Sequence, residues 1–322
     1  MRSSAPRRVR PAAPVVAVLT ATLLTACSSS GSAQPAPSPA PAPAASAIAA
    51  APSPSLAPAA PVAVPTCQPV HVPPWTATNF RDPTNVTNTW MPLVPGTQFT
   101  SEGTSNVGGK PTEHKIVFTV TDLVKEINGV QTRVGWDVDT DKGVTAESEL
   151  VFFAQDNDGN VWTVGEYPEE YTNGKLSGAP NAWAAGVNGA QAGVQIRSKP
   201  AVGGGEYLQG ISPAVEFLDC AKDVSTGQHT CGPTGCYDNV LVVDERSPQE
   251  PDSGVQRKFY APNVGSVRVE AVGDPEGETL QLTKVSPPSP ANLDTARTEA
   301  LKLDERARQN PVYKSTEAAH TV

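Results

Sequence analysis

The chain has 322 residues, 24 Lys and Arg against 33 Asp and Glu, a formal net charge of -9, and abundant Pro and Gly at 33 and 26 residues. An acidic chain gains nothing from counterion release at phosphates, so nucleic acid is not an expected partner. Low aromatic and charged fractions, 6% and 18%, suit a loop-rich β protein that follows a low-complexity segment.

At the N-terminus Arg2, Arg7, Arg8 and Arg10 precede an apolar run over residues 15–24. That order reads as a secretory signal, and the run is too short to remain as a membrane-spanning helix. Leu24-Thr25-Ala26-Cys27 places a Leu three residues before a Cys and a small residue directly before it. The tetrapeptide resembles the lipobox of bacterial lipoproteins. The resemblance implies cleavage of residues 1–26, acylation of Cys27 and a mature protein anchored by lipid outside the cytoplasm. Cleavage removes four arginines and no acid, moving the charge from -9 to -13. Anionic headgroups then repel the domain, so attachment rests on the acyl chains.

Residues 27–66 are a tether of Ala, Pro and Ser, with no charged side chain between Ser28 and Pro65. Such a stretch cannot offset its ordering entropy by apolar burial and is expected to be disordered with polyproline II character, reaching roughly 120 Å at about 3.1 Å per residue.

Four further cysteines follow, Cys67, Cys220, Cys231 and Cys236. An even count outside the cytoplasm favours disulfides. Cys231 and Cys236 bracket Gly232-Pro233-Thr234-Gly235, a turn sequence that brings two sulfurs together, which leaves Cys67 for Cys220. Zinc is the rival reading, but four residues between Cys231 and Cys236 is wide for a ribbon and His229 is the only nearby imidazole, so no metal is assigned. The two-residue spacing of thioredoxin-like redox pairs is also absent.

From residue 67 to 288 the pattern is short apolar or alternating runs. The run over 115–121 sets Ile116, Phe118 and Val120 in period two. Residues 133–138, 149–153, 161–164, 215–218, 240–243, 257–260, 267–272 and 279–285 read the same way. Between them lie turn pairs such as Asn128-Gly129 and Asn173-Gly174. The expected fold is mainly β, a single antiparallel meander closed or folded over as a barrel or sandwich. Residues 289–310 form the exception. Leu293, Ala296, Ala300, Leu303 and Ala307 recur at helical spacing, predicting one amphipathic helix over 292–309 with Asn292 as N-cap. Residues 311–322 read as a disordered tail.

Two acidic runs invite a calcium reading. Asp137, Asp139 and Asp141 alternate as calcium-loop ligands do, with Glu147 and Glu149 downstream, but the diagnostic Gly and Glu positions hold Lys142 and Ser148. A strand entering a hairpin, with its acids in solvent, is the simpler expectation. For Asp156-Asn157-Asp158-Gly159-Asn160 a hairpin again accounts for the sequence without metal. Glu166, Glu169 and Glu170 lie beside Trp162, Tyr167 and Tyr171, with Trp183 further on. Acids near aromatic platforms are what a carbohydrate site uses, which makes Trp162, Glu166, Glu169, Tyr171 and Trp183 the candidate ligand-binding residues. No Gly-x-Ser-x-Gly elbow or His-Glu-x-x-His motif is present, and His71, His114, His229 and His320 are scattered, so no catalytic residue is assigned.

Several colinear segments resemble an uncharacterised family of secreted bacterial proteins and lipoproteins: Trp90-Met91-Pro92-Leu93, Phe153-Ala154-Gln155-Asp156, Gly159-Asn160-Val161-Trp162, Trp183-Ala184-Ala185-Gly186-Val187 and Tyr260-Ala261-Pro262-Asn263 among them. The resemblance spans roughly residues 75–285 and implies a secreted single domain, with no activity, cofactor or substrate attached. The expected function is a surface-tethered β domain that binds a cell-wall component, a small ligand or an envelope protein without catalysis. The alternative is an extracellular hydrolase using the acids at 166–170.

Overall fold

The computed structural model describes residues 66–67, 74–273 and 277–322. The expected signal peptide, Cys27 and the expected tether up to Pro65 lie outside the described residues.

Hairpin succeeds hairpin along the chain because the turns are built from residues that accept positive φ. Strand β2 (Lys110–Ile127) is joined to β3 (Val130–Asp141) by Asn128 and Gly129, with φ of 50° and 76°, the handedness that matches strand twist. Next come β4 (Val144–Gln155), β5 (Val161–Thr172) and two short strands, β6 (Lys175–Gly178) and β7 (Trp183–Ala184), both of which pair with β5. The meander continues through β8 (Gln191–Ile196), β9 (Tyr207–Ser212), β10 (Phe217–Gly232), β11 (Gly235–Arg246), β12 (Val255–Ala261), β13 (Gly265–Val272) and β14 (Thr279–Ser286). The 215–218 run departs from expectation at its start, since Pro213–Val215 is a 3-10 turn and the strand begins at Phe217.

The choice between barrel and sandwich is made by β1 (Gln98–Val107), which pairs with both β2 and β14. The ladder β1-β14-β13-β12-β11-β10-β9-β8-β5-β4-β3-β2 then returns to β1, giving a closed antiparallel barrel of twelve strands. Closure leaves no open edge in the ring to template aggregation.

Alternate residues of a closed sheet face opposite ways. On the inner face Phe118 stands beside Asp137, which stands beside Glu149. Ring contacts at 6.3 Å link Phe99 to Phe118 and Phe118 to Phe153, and Ile116 packs with Val269 and Leu280. On the outer face Val134 pairs with Phe152, and Trp136 with Leu150, which pairs in turn with Tyr167. That apolar outer patch is covered by helix α1 (Pro290–Ala307), which buries Ala296, Ala300, Leu303 and Ala307. The helix starts earlier than predicted. Its cap is Ser289, whose hydroxyl accepts from Asn292 N at 3.2 Å, because Pro290 suits the first helical position and needs no N–H partner.

Residues 311–322, expected as a disordered tail, are ordered against the barrel. Tyr313 is fully buried, 5.5 Å from the Phe152 ring and 6.0 Å from that of Tyr167, and its hydroxyl donates to Trp183 O at 2.5 Å. A side chain at Gly165 would place Cβ 2.8 Å from the Tyr313 hydroxyl, so a glycine is needed there. Lys125, also fully buried, donates to Asp304 Oδ1 at 2.7 Å and to Glu317 O at 2.6 Å. The last strand, β15 (His320–Thr321), pairs with β2. These anchors are single long-range contacts without periodicity, which is why the tail carries no pattern in the sequence.

Candidate functional site

The acid and aromatic side chains at 162–183 do not form a cleft. Glu166 is buried and accepts from Trp183 Nε1 at 2.7 Å, while the Trp183 ring lies 5.1 Å from Phe217. Glu169 takes a bidentate pair from Arg306 of α1, at 2.6 and 2.7 Å, and a hydrogen bond from Tyr171. That carboxylate holds the Arg306 guanidinium above its ordinary value. Glu170 accepts from Asn181 at 2.7 Å. Trp162 is buried, donating to Asp156 Oδ2 at 2.8 Å. The Asp156 carboxylate also accepts from the backbone of Asp158 and Asn160, so it ties the β4–β5 hairpin. Each acid serves the helix, a turn or a tryptophan, and none of the five candidates lines the concavity described below.

The aspartate ladder differs from expectation. Asp137 and Asp139 are buried rather than facing solvent, because closure of the sheet turns their face inward. Asp141 accepts from His114 Nδ1 at 2.9 Å and from Ser105 at 3.0 Å. On the other side of the imidazole, Nε2 lies 3.0 Å from Glu278 Oε1 and 3.8 Å from Asp139 Oδ2. Burial works against the charge on His114, yet Glu278 and Asp141 outweigh it and raise its pKa to about 9. Burial pushes the Asp137 carboxyl up to about 6. The imidazolium therefore occupies the centre of the cluster, the position a bound cation would take. Beside it the barrel leaves a cavity of about 10 Å³, room for roughly one water. Lys258 and Glu245 form another inner pair at 2.6 Å, with Gln209 donating to Glu245.

A larger concavity of about 510 Å³ opens at the surface. Its floor and walls come from the loop at Pro92 and Val94, the start of β1, the end of β14, the β12–β13 turn and the β10–β11 hairpin. Phe99, Tyr237, Val264 and Val285 supply apolar surface, with Thr97 and Asn263 as hydrogen-bonding groups. No carboxylate, amine, guanidinium, imidazole or thiol lines it. The hairpin wall is held by Tyr237, whose hydroxyl donates to Thr234 Oγ1 at 2.9 Å, and by Thr234, which donates to Leu282 O at 3.3 Å.

Disulfides join Cys67 to Cys220 and Cys231 to Cys236. The second lies at the exposed tip of the β10–β11 hairpin. There His229 Nε2 is 3.3 Å from Cys231 Sγ, and His229 Nδ1 is 2.7 Å from Asp238 Oδ1. Donor atoms of His229, Cys231 and Cys236 fall within 4.8 Å of one another, with both sulfurs engaged in the disulfide. Sequence reading missed two pairings. Glu278 is distant in sequence from His114 and needs the β1 closure to meet it. His229 and Asp238 are paired only by the register of the hairpin, although their placement on either side of the Cys pair was a usable signal.

No protein-family model matches the chain, and no curated protein matches it. Among solved structures, a presumed exported protein with a YMCC-like fold from Bacteroides fragilis is similar with a TM-score of 0.34 and 18% identity, over 62% of this chain and 100% of that one. A likeness of that size says nothing about function. Two disulfides are nonetheless bonds of an oxidising compartment, in keeping with a protein working outside the cytoplasm.

Proposed function

We propose that the protein is an extracytoplasmic lipoprotein whose barrel binds a small uncharged ligand in the surface concavity and performs no catalysis. One observation carries the reading. A concavity of ligand size, about 510 Å³, is walled by Phe99, Tyr237, Val264 and Val285 and is lined by no carboxylate, amine, guanidinium, imidazole or thiol, leaving its hydroxyls without a neighbouring base to activate them. The acids that a hydrolase would need are spent on Arg306, Asn181 and Trp183. A ligand with an apolar face and a few hydroxyls matches the aromatic wall and the Thr97 and Asn263 polar groups. The lipid on Cys27 would then hold the barrel at the membrane. Envelope glycans and glycolipids belong to this chemical class.

The test uses octyl glucoside, below its micelle concentration, as a neutral probe with one apolar and one hydroxylated end. Amide chemical-shift changes are expected at residues 92–99, 233–237 and 263–264, and Val94→Asp should abolish them. Changes elsewhere, or none, would contradict the assignment. For the anchor, Cys27→Ser should lose acyl label and move to the soluble fraction, whereas retention at the membrane with unchanged label would refute lipidation.

A further inference from the structure

The hairpin tip carries more than a staple. Both cysteines of the Cys231–Cys236 pair are exposed, as are His229 and Asp238. Cys231 stands opposite Cys236 in the ladder, and His229 of β10 and Asp238 of β11 complete the arrangement: sulfur, imidazole and carboxylate in series at 3.3 and 2.7 Å. Asp238 fixes the ring with Nδ1–H directed at the carboxylate, so Nε2 is the nitrogen presented to sulfur. That is the geometry of a general acid aimed at a leaving group.

We propose that Cys231–Cys236 is an exchangeable disulfide, reduced by an external dithiol with His229 as the general acid. This inference does not rest on the ligand reading above. A thiolate of the dithiol attacks Cys236 Sγ, the new S–S bond forms as the Cys231–Cys236 bond breaks, and the electron pair passes to Cys231 Sγ. The imidazolium Nε2–H of His229 gives its proton to that departing thiolate. The second thiolate of the dithiol then displaces Cys236 and closes the external disulfide, and Cys236 takes a proton from solvent. Solvent, which received the two protons of the dithiol, then reprotonates His229, so the protein gains two electrons and two protons in all and the dithiol is oxidised to its disulfide. His229 is the catalytic residue and Asp238 a positioning residue. The asymmetry is specific: Cys231, which has the imidazole, leaves, and Cys236 is attacked.

The experiment follows reduction of the tip disulfide by dithiothreitol in the intact folded protein, with alkylation and mass mapping, for the native chain and His229→Gln. Position 229 is exposed, and unchanged melting of the variant establishes that it folds. The native bond should open about tenfold faster than in His229→Gln under acidic conditions, with the ratio declining as pH rises, as for any general acid. Asp238→Asn should lose part of the same low-pH advantage. With glutathione as a monothiol probe, the trapped mixed disulfide should sit on Cys236. A rate ratio of one throughout, a ratio independent of pH, or glutathione trapped on Cys231 would each overturn the proposal.

Discussion

The two disulfides are the same bond placed in opposite surroundings. Cys67–Cys220 is buried, with Cys220 only 1% exposed, packs with Leu218 and joins residues 153 apart. Cys231–Cys236 is exposed, spans 5 residues and touches an imidazole. Reagents reach the first only when the protein opens, so its chemistry is governed by stability. The second is reachable in the folded state and is governed by its neighbours. Position in the barrel, not cysteine chemistry, separates a staple from a reactive group.

The largest effect that would sharpen this contrast comes from removing each bond. Cys67→Ala with Cys220→Ala should cost on the order of 5 kcal/mol in the chain-entropy limit, against about 2 for Cys231→Ala with Cys236→Ala. Denaturant titration of both double variants measures the gap, and equal losses would remove the distinction between staple and tip. A comparable dependence on the buried side is expected at Lys125, whose ammonium is fully buried against Asp304. Lys125→Met should destabilise by about 3 kcal/mol, since one partner of a buried pair is left behind. The same unfolding measurement checks it, and a loss below about 1 kcal/mol would mean that the C-terminal segment is not anchored there.

An effect of similar size, spread over pH, follows from His114. Its folded pKa of about 9 lies above the ordinary 6.5, so its contribution is full below pH 6.5 and disappears as pH rises through 9. Stability should fall on the order of 3 kcal/mol across that window, and His114→Gln should flatten the slope.

Much of this was legible in the sequence. Period-two runs such as 115–121 and the Asn-Gly turns located hairpins because strand pairing between neighbours is local. The turn between Cys231 and Cys236 was legible for the same reason. Closure was not, because Gln98 meets Ser286 through a pairing that local pattern cannot specify. With closure unknown, the inward sense of Asp137 and Asp139 was unknown too, and so was the ion cluster around His114. Trp162, Glu166 and Trp183 looked like a binding face because sequence shows that acids and rings are adjacent but not which partners satisfy them. Tyr313 and Lys125 act through single long-range contacts. Asn292 stands in place of Ser289 as the expected cap because the apolar helical spacing begins only at Leu293, whereas Pro290 is already the first residue of the helix.

The contrast is tested most directly by limited reduction of the native protein with glutathione, followed by alkylation and mass mapping alongside circular dichroism. Cys231–Cys236 should open while Cys67–Cys220 stays intact, with the β signal retained and the melting midpoint lowered by only several degrees. Opening of Cys67–Cys220 first, or of both bonds together with loss of the fold, would contradict it.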